Sequence, residues 1–258
     1  MKRSGFTVLL IVILNSLILL MPMPFCGVLA AETNVVKIAC VGDSITMGIG
    51  IPAKARATRS YPALLESMLG TNRFEVQNFG SGGMIMRKKE RGDVKPQNSY
   101  WNTSFIKKDE IINYKPDIII IMLGSNDAAQ DDRNPGRYWV NLDLYLQSYR
   151  WMIEKFSAID PKPAIYMAYP PPVFPGERPR NYHREEILSR EIRPGIEGLS
   201  HELNLPVIDL YTPLKDHSEW FNSRDKVHPN SAGYTNIAKI VSGFIKDKRQ
   251  QASKMGGR

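Results

Sequence analysis

Cysteine is almost missing from this sequence, which has Cys26 and Cys40 alone among 258 residues. If an N-terminal segment carrying Cys26 is removed on export, Cys40 has no partner, so an internal disulfide is excluded and the core alone must hold the fold. Histidine is scarce too, at positions 183, 201, 217 and 228. No pair of these stands at metal-ligand spacing with a Cys, Asp or Glu cluster, so neither a metal nor another cofactor is expected. Internal repeats are lacking, as is any run interleaving basic and aromatic residues. The net charge of +8 comes from 34 Lys and Arg against 26 Asp and Glu. These are spread along the chain with the signs mixed, which excludes nucleic acid as an expected partner and leaves at most an attraction to acidic polysaccharide or a cell surface.

What is present first is a distinct N-terminus. Lys2 and Arg3 precede an apolar stretch over residues 6–20, and small residues follow at Ala30 and Ala31. That order predicts a signal peptide over residues 1–30, cut after Ala30 or one residue later, and a secreted or periplasmic protein. The alternative is an uncleaved membrane anchor. After cleavage no stable membrane partner is expected. Lys2 and Arg3 supply two of the positive charges, so the remaining chain carries about +6. Residues 31–247 are long enough for one domain with an ordinary core, and residues 248–258 read as a basic flexible tail.

Within the domain, strand and helix patterns alternate. Residues 35–41, 74–79, 118–123, 164–168 and 207–210 read as strands, and residues 61–69, 138–159 and 187–203 as helices. The run at 118–123 is six consecutive apolar residues, the pattern of a central strand covered on both faces. A last helix starts at Asn230 or Ser231 and puts Tyr234, Ile237, Ala238, Val241, Phe244 and Ile245 on one face. This predicts a three-layer, doubly wound α/β domain of about five parallel strands, flavodoxin-like, with its site at the carboxyl ends of the strands.

Four clusters at those ends share a chemical theme. Gly42-Asp43-Ser44 follows the first strand, so the Ser44 hydroxyl sits at a strand-to-helix turn with its own N–H beside it. Asn78-Phe79-Gly80-Ser81-Gly82-Gly83 follows the second, where glycines let the backbone approach a ligand. Gly124-Ser125-Asn126-Asp127 ends the strongest strand, and the Asn126 amide is suited to donate to an oxyanion. Asp225-Lys226-Val227-His228-Pro229 precedes the last helix. Its spacing can set the carboxylate on Nδ1 and leave Nε2 outward as a general base. Among the other histidines, His201 lies in a helical stretch, and His183 and His217 read as loop residues.

In their residues and their order, the four clusters resemble blocks I, II, III and V of the GDSL/SGNH hydrolases across nearly the whole mature chain. The resemblance implies the SGNH hydrolase fold, with Ser44 as nucleophile, His228 as base and Asp225 as its orienter. It also implies oxyanion donors at the Gly83 N–H and the Asn126 side chain, with Gly82 as the alternative to Gly83. The implied activity is that of a serine esterase. The loops after the strands carry Arg87, Lys88, Lys89, Arg91, Tyr100, Trp101, Phe174, Arg178, Arg180 and Tyr182, aromatic and basic groups suited to a polar acyl carrier. They resemble the secreted carbohydrate acetylesterases, sialate O-acetylesterase-like proteins included, and the expected substrates are short-chain acetyl esters on carbohydrate. Two other readings compete: a lysophospholipase or thioesterase acting on longer acyl chains, and a carbohydrate-binding domain without turnover.

Overall fold

In the computed structural model, residues 35–88, 98–129, 141–175 and 180–256 are described. The segment read as a signal peptide, together with Lys89, Arg91, Arg178 and the expected helix start at 138, lies outside them. In chain order the elements are β1 (Val36–Gly42), α1 (Ser44–Met47), α2 (Arg56–Arg59), α3 (Tyr61–Leu69) and β2 (Phe74–Gly80). Then come α4 (Ser104–Lys107), α5 (Glu110–Tyr114), β3 (Ile118–Met122), α6 (Leu142–Ser157) and β4 (Ala164–Ala168). The order finishes with α7 (Arg180–Ile187), α8 (Arg193–Leu203), β5 (Val207–Ile208) and α9 (Ser231–Gly256). The five strands form one parallel sheet in the order β2-β1-β3-β4-β5. This is the flavodoxin-like winding, whose direction reverses between β1 and β3 and opens a crevice beyond their carboxyl ends.

The two-residue repeat of the strands divides the core between the faces of the sheet. Ala39, Val41, Ile119 and Ile121 meet Tyr145, Tyr149, Met152 and Phe156 of α6 and Ile196 and Leu199 of α8. Ile38, Cys40, Ile118, Ile120 and Met122 meet Tyr61, Leu65 and Leu69 of α3 and Tyr234, Ile237, Val241 and Ile245 of α9. Each fully buried Ile contributes about 1.5–3 kcal/mol of hydrophobic stabilisation before entropy is counted. Cys40 belongs to this apolar set, and burial pushes its thiol up to about 12, so it behaves as a small inert core residue. The edge strand β2 has one of its outward N–H groups covered: the Val76 N–H donates to Glu66 Oε2 at 2.7 Å.

Two helices differ from the sequence expectation. Helical structure begins at Arg180 rather than 187, and a π-helical segment, Leu188–Ile192, joins α7 to α8. His183 therefore stands on a helix and not in a loop. Helix α9 runs to Gly256, through most of the residues read as a tail. The apolar stripe does end near Ile245, but no Gly or Pro interrupts the Lys, Arg, Gln and Ala residues that follow, all tolerant of helix. Long basic side chains tie this part down: Lys246 Nζ donates to Met68 O at 3.2 Å, and the Arg249 guanidinium lies 5.1 Å from the centre of the Phe74 ring. Among the described residues, no helix is long and apolar enough to cross a membrane.

Candidate active site

The crevice at the ends of β1 and β3 is built outward from Ser44. Asp43 caps α1, its Oδ1 accepting the Ile45 N–H at 2.8 Å. Ser44 is the first residue of α1, so its N–H has no acceptor within the helix and is available to the crevice. Helix α1 folds back tightly on the strands, which only glycines allow. A Cβ on Gly42 would lie 2.0 Å from Thr46 Oγ1, and one on Gly80 would lie 2.2 Å from the Met47 nitrogen. Asn78 locks this approach, donating from Nδ2 to Thr46 O at 2.8 Å and accepting the Gly80 N–H on Oδ1 at 2.8 Å.

The segment before α9 brings its pair to the same place. Asp225 Oδ1 accepts the N–H groups of Val227 and His228 at 2.9 and 3.0 Å, which leaves Oδ2 for His228 Nδ1 at 2.8 Å. Because the carboxylate can only accept, Nδ1 carries the proton, and Nε2 is free to accept from Ser44 Oγ at 2.9 Å. Burial works against charge on Asp225, but the hydrogen bonds from the His228 ring and the His228 and Val227 N–H groups outweigh it. They hold the carboxyl below the usual carboxylate range. Gly50, at φ +111°, lets the loop after α1 pass the turn at His228: a Cβ there would lie 2.3 Å from Pro229 O.

The remaining two clusters arrive beside Ser44. Asn126 Nδ2 donates to Met84 O at 3.0 Å and to Asp43 Oδ2 at 3.3 Å. Gly82 and Gly83 lie between Ser81, whose N–H donates to Gly42 O at 3.0 Å, and Met84, which receives the Asn126 bond. Both are thus confined to the strip between the end of β1 and Asn126. Gly83 takes φ +75°, a left-handed conformation that residues with a side chain rarely adopt. Burial raises the Asp43 carboxyl to about 6, opposed by the Ile45 N–H bond, Arg184 and His228. Burial likewise raises Asp127 to about 7, although its oxygens accept the Met86 and Arg87 N–H groups at 2.9 and 3.3 Å.

Several contributors were not legible as site residues. Asp43 serves as a cap, and Asp127 anchors the loop after β2; both stand inside clusters singled out above, so the signal was present and the role was not. Asn181 and Arg184 of α7 gave no signal. Asn181 Nδ2 donates to Asp225 O and Phe174 O, both at 2.9 Å. Arg184 reaches Ser125 and Asn126. Conversely, Tyr100 is wholly buried and donates to Phe79 O at 2.6 Å, which makes it core and not roof. Arg87 is 6% exposed, also within the interior. Trp101 donates from Nε1 to Met86 O at 3.1 Å, Phe174 meets Phe221 edge-on, and Tyr182 is 61% exposed. His217 stacks on Trp220 with its Nδ1 2.8 Å from Glu219 Oε1, and His201 is exposed on α8. Among the described residues, no group of three or more His, Cys, Asp or Glu is arranged to hold a metal.

This chain belongs to the GDSL-like lipase/acylhydrolase family, whose sequence profile matches residues 40–235. An acetylxylan esterase from Xylanibacter ruminicola is 29% identical over 233 residues, which cover 84% of this chain and 44% of that protein, so the chain spans under half of that relative's length. Of solved structures, a lipase/acylhydrolase from Enterococcus faecalis is similar with a TM-score of 0.62 at 22% identity, over 83% of this chain and 97% of that one. A carbohydrate acetylesterase from Sinorhizobium meliloti is similar with a TM-score of 0.60 at 15% identity, over 82% and 99%. At such identities these two structures speak for the fold alone, the five-stranded parallel sheet flanked by helices.

Proposed function

We propose that this protein is a serine esterase that removes short acyl groups, O-acetyl groups on carbohydrate foremost, through an acyl-enzyme on Ser44. The observation that carries the proposal is the hydrogen-bonded line from Asp225 through His228 to Ser44, at 2.8 and 2.9 Å, between residues 184 positions apart. A serine hydroxyl is a poor nucleophile until a base takes its proton, and this line supplies the base in the required tautomer. His228 Nε2 accepts the Ser44 proton as Oγ bonds to the ester carbonyl carbon, and the charged Asp225 favours the imidazolium that forms. The Ser44 N–H, the Gly83 N–H and Asn126 Nδ2 receive the oxyanion, each donor of this kind contributing about 2.7–4 kcal/mol at the transition state. The intermediate collapses, and the leaving alcohol takes the proton from His228. Water then attacks the acyl carbon with His228 again as base, releasing acetate and restoring Ser44.

The carbohydrate acetyl substrate is supported by the acetylxylan esterase relative. Acetate release from acetylated xylan, acetylated pectin oligosaccharides and O-acetyl sialic acid, measured beside hydrolysis of p-nitrophenyl acetate and octanoate, tests it. Release from at least one carbohydrate with acetate preferred to octanoate is expected. Preference for octanoate with no carbohydrate acetate released would contradict the substrate and favour longer acyl chains. Export is part of the same reading, supported by the basic, apolar and small residues in that order over residues 1–31. N-terminal sequencing of the native protein should find Ala31 or Glu32 first, and a membrane-bound chain beginning at Met1 would overturn it.

A further inference from the structure

From the contacts of Arg184 we infer that it is a positioning residue for the oxyanion donor, locking the Asn126 amide with its NH2 toward Ser44; the inference rests on the functional reading above. Arg184 stands on α7 and reaches across to the end of β3. Its Nε donates to Ser125 O at 2.7 Å, and its Nη2 donates to Asn126 Oδ1 at 3.1 Å and to Ser125 Oγ at 3.3 Å. An Asn side chain has two ends of nearly equal size, one accepting and one donating, and a rotation by half a turn exchanges them. A guanidinium has donors only, so the end that faces it must be Oδ1. The NH2 end is thereby turned to the other side, where Met84 O and Asp43 Oδ2 receive it at 3.0 and 3.3 Å.

Those two acceptors agree with the assignment, because a carbonyl and a carboxylate oxygen each require a donor. Asp43 is the residue before Ser44, so its bond ties the NH2 end to the turn that carries the nucleophile. Of its two bonds the one to Asp43 is long, at 3.3 Å, and is the one an oxyanion at Ser44 would replace at least loss. The guanidinium charge on Oδ1 also polarises the amide and strengthens Nδ2–H as a donor, as in any chain of hydrogen bonds in a site of low dielectric. Helix α7 secures both halves of the site, since Asn181, one turn earlier, donates to Asp225 O at 2.9 Å. Without Arg184 the amide would keep its Met84 and Asp43 bonds, which still disfavour a flip, yet lose the charged donor that holds and polarises Oδ1.

Steady-state kinetics on p-nitrophenyl acetate with R184M, R184K, N126A and the double variant N126A/R184M tests the assignment. Methionine keeps most of the aliphatic length and removes every donor. R184M should lower kcat about 10- to 100-fold, part of the loss from deleting a donor outright, with KM changed less than about 2-fold. R184K, which restores a charged donor without the fork, should recover part of kcat. In the N126A background R184M should cost less than about 2-fold, because the group it positions is gone. Equal losses in both backgrounds, or a wild-type kcat in R184M, would overturn the inference. If R184M does not fold, the same comparison with R184K against N126A/R184K decides it, a coupled partial loss being expected and an uncoupled one refuting. A wild-type protein that does not hydrolyse the ester at all would instead sink the functional reading itself.

Discussion

Replacing Gly80 by alanine should disable the site by a purely steric route. The added Cβ would lie 2.2 Å from the Met47 nitrogen, 2.6 Å from the Thr46 carbonyl carbon and 2.7 Å from Met47 Cα, all backbone atoms that no rotamer change can move. Relieving such contacts to ordinary distance requires the end of β2 and helix α1 to part by about 1 Å. Overpacking of this kind costs about 1–3 kcal/mol, and stretching the Asn78 bond to Thr46 O adds about 1 kcal/mol. For a domain of this size the sum lowers Tm by roughly 5–15 °C. Because α1 carries Ser44, whose Oγ is 2.9 Å from His228 Nε2, a displacement near 1 Å should also reduce kcat about 100-fold. Gly82 provides the control for Tm: its added Cβ would meet Met47 Sδ at 3.6 Å, an ordinary contact. Calorimetry and ester hydrolysis of Gly80→Ala and Gly82→Ala side by side check this. Wild-type Tm and rate in Gly80→Ala, or an equal fall of Tm in both variants, would rule out the backbone clash.

Asp225→Asn keeps an oxygen for the Val227 and His228 N–H groups but offers an NH2 to His228 Nδ1, forcing the proton to Nε2. The rate should fall about 10⁴-fold with little change in folding, measured by kcat and near-UV circular dichroism. The buried carboxyls Asp43 and Asp127, raised to about 6 and about 7 from an ordinary 3.8, give a pH dependence of stability with a fixed sign. Between about pH 4 and 7 the folded chain binds more protons at these groups than the unfolded chain, so their contribution to stability falls as pH rises through that window. Asp127→Asn should lower Tm overall, because one of the Met86 and Arg87 N–H groups then faces an NH2, yet flatten the decline of Tm across the same window. An unchanged slope in denaturation scans would contradict the assigned shift.

The parts of this chain that were legible in its sequence are those where burial writes a pattern. Ile118 to Met122 is buried on both faces and shows as an unbroken apolar run, and the α9 stripe from Tyr234 to Ile245 shows as helical spacing. Helix α7 was not legible before residue 187. It has few apolar residues, follows a proline-rich stretch, and is secured by polar bonds from Asn181, Arg184 and Glu185, which leave no periodicity. The last turns of α9 persist on backbone propensity and long basic side chains after the stripe has ended. Each site cluster alone reads as an ordinary turn, and the site was legible because the four occur together in order at strand ends. The structure brings Ser44, His228 and Asp225 into one hydrogen-bonded line, with Asn126 bonded to Asp43 beside it. Tyr100 misled for the opposite reason: an aromatic residue in a long loop serves a roof or a core equally well. Its complete burial and its hydroxyl reaching Phe79 O decide between them.

The Ser44 nucleophile can be trapped covalently. Incubating the folded protein with a serine-reactive phosphonate and mapping the adduct by peptide mass spectrometry, with Ser44→Ala in parallel, addresses the nucleophile itself. One adduct is expected, on Ser44, with loss of hydrolysis in step with labelling. Ser44→Ala should be folded and unlabelled, with under about a hundredth of wild-type activity, since losses of a nucleophile are normally far larger than that. An adduct on another residue, no labelling of folded wild-type protein, or a Ser44→Ala variant that still hydrolyses esters above that level would contradict the assignment of Ser44.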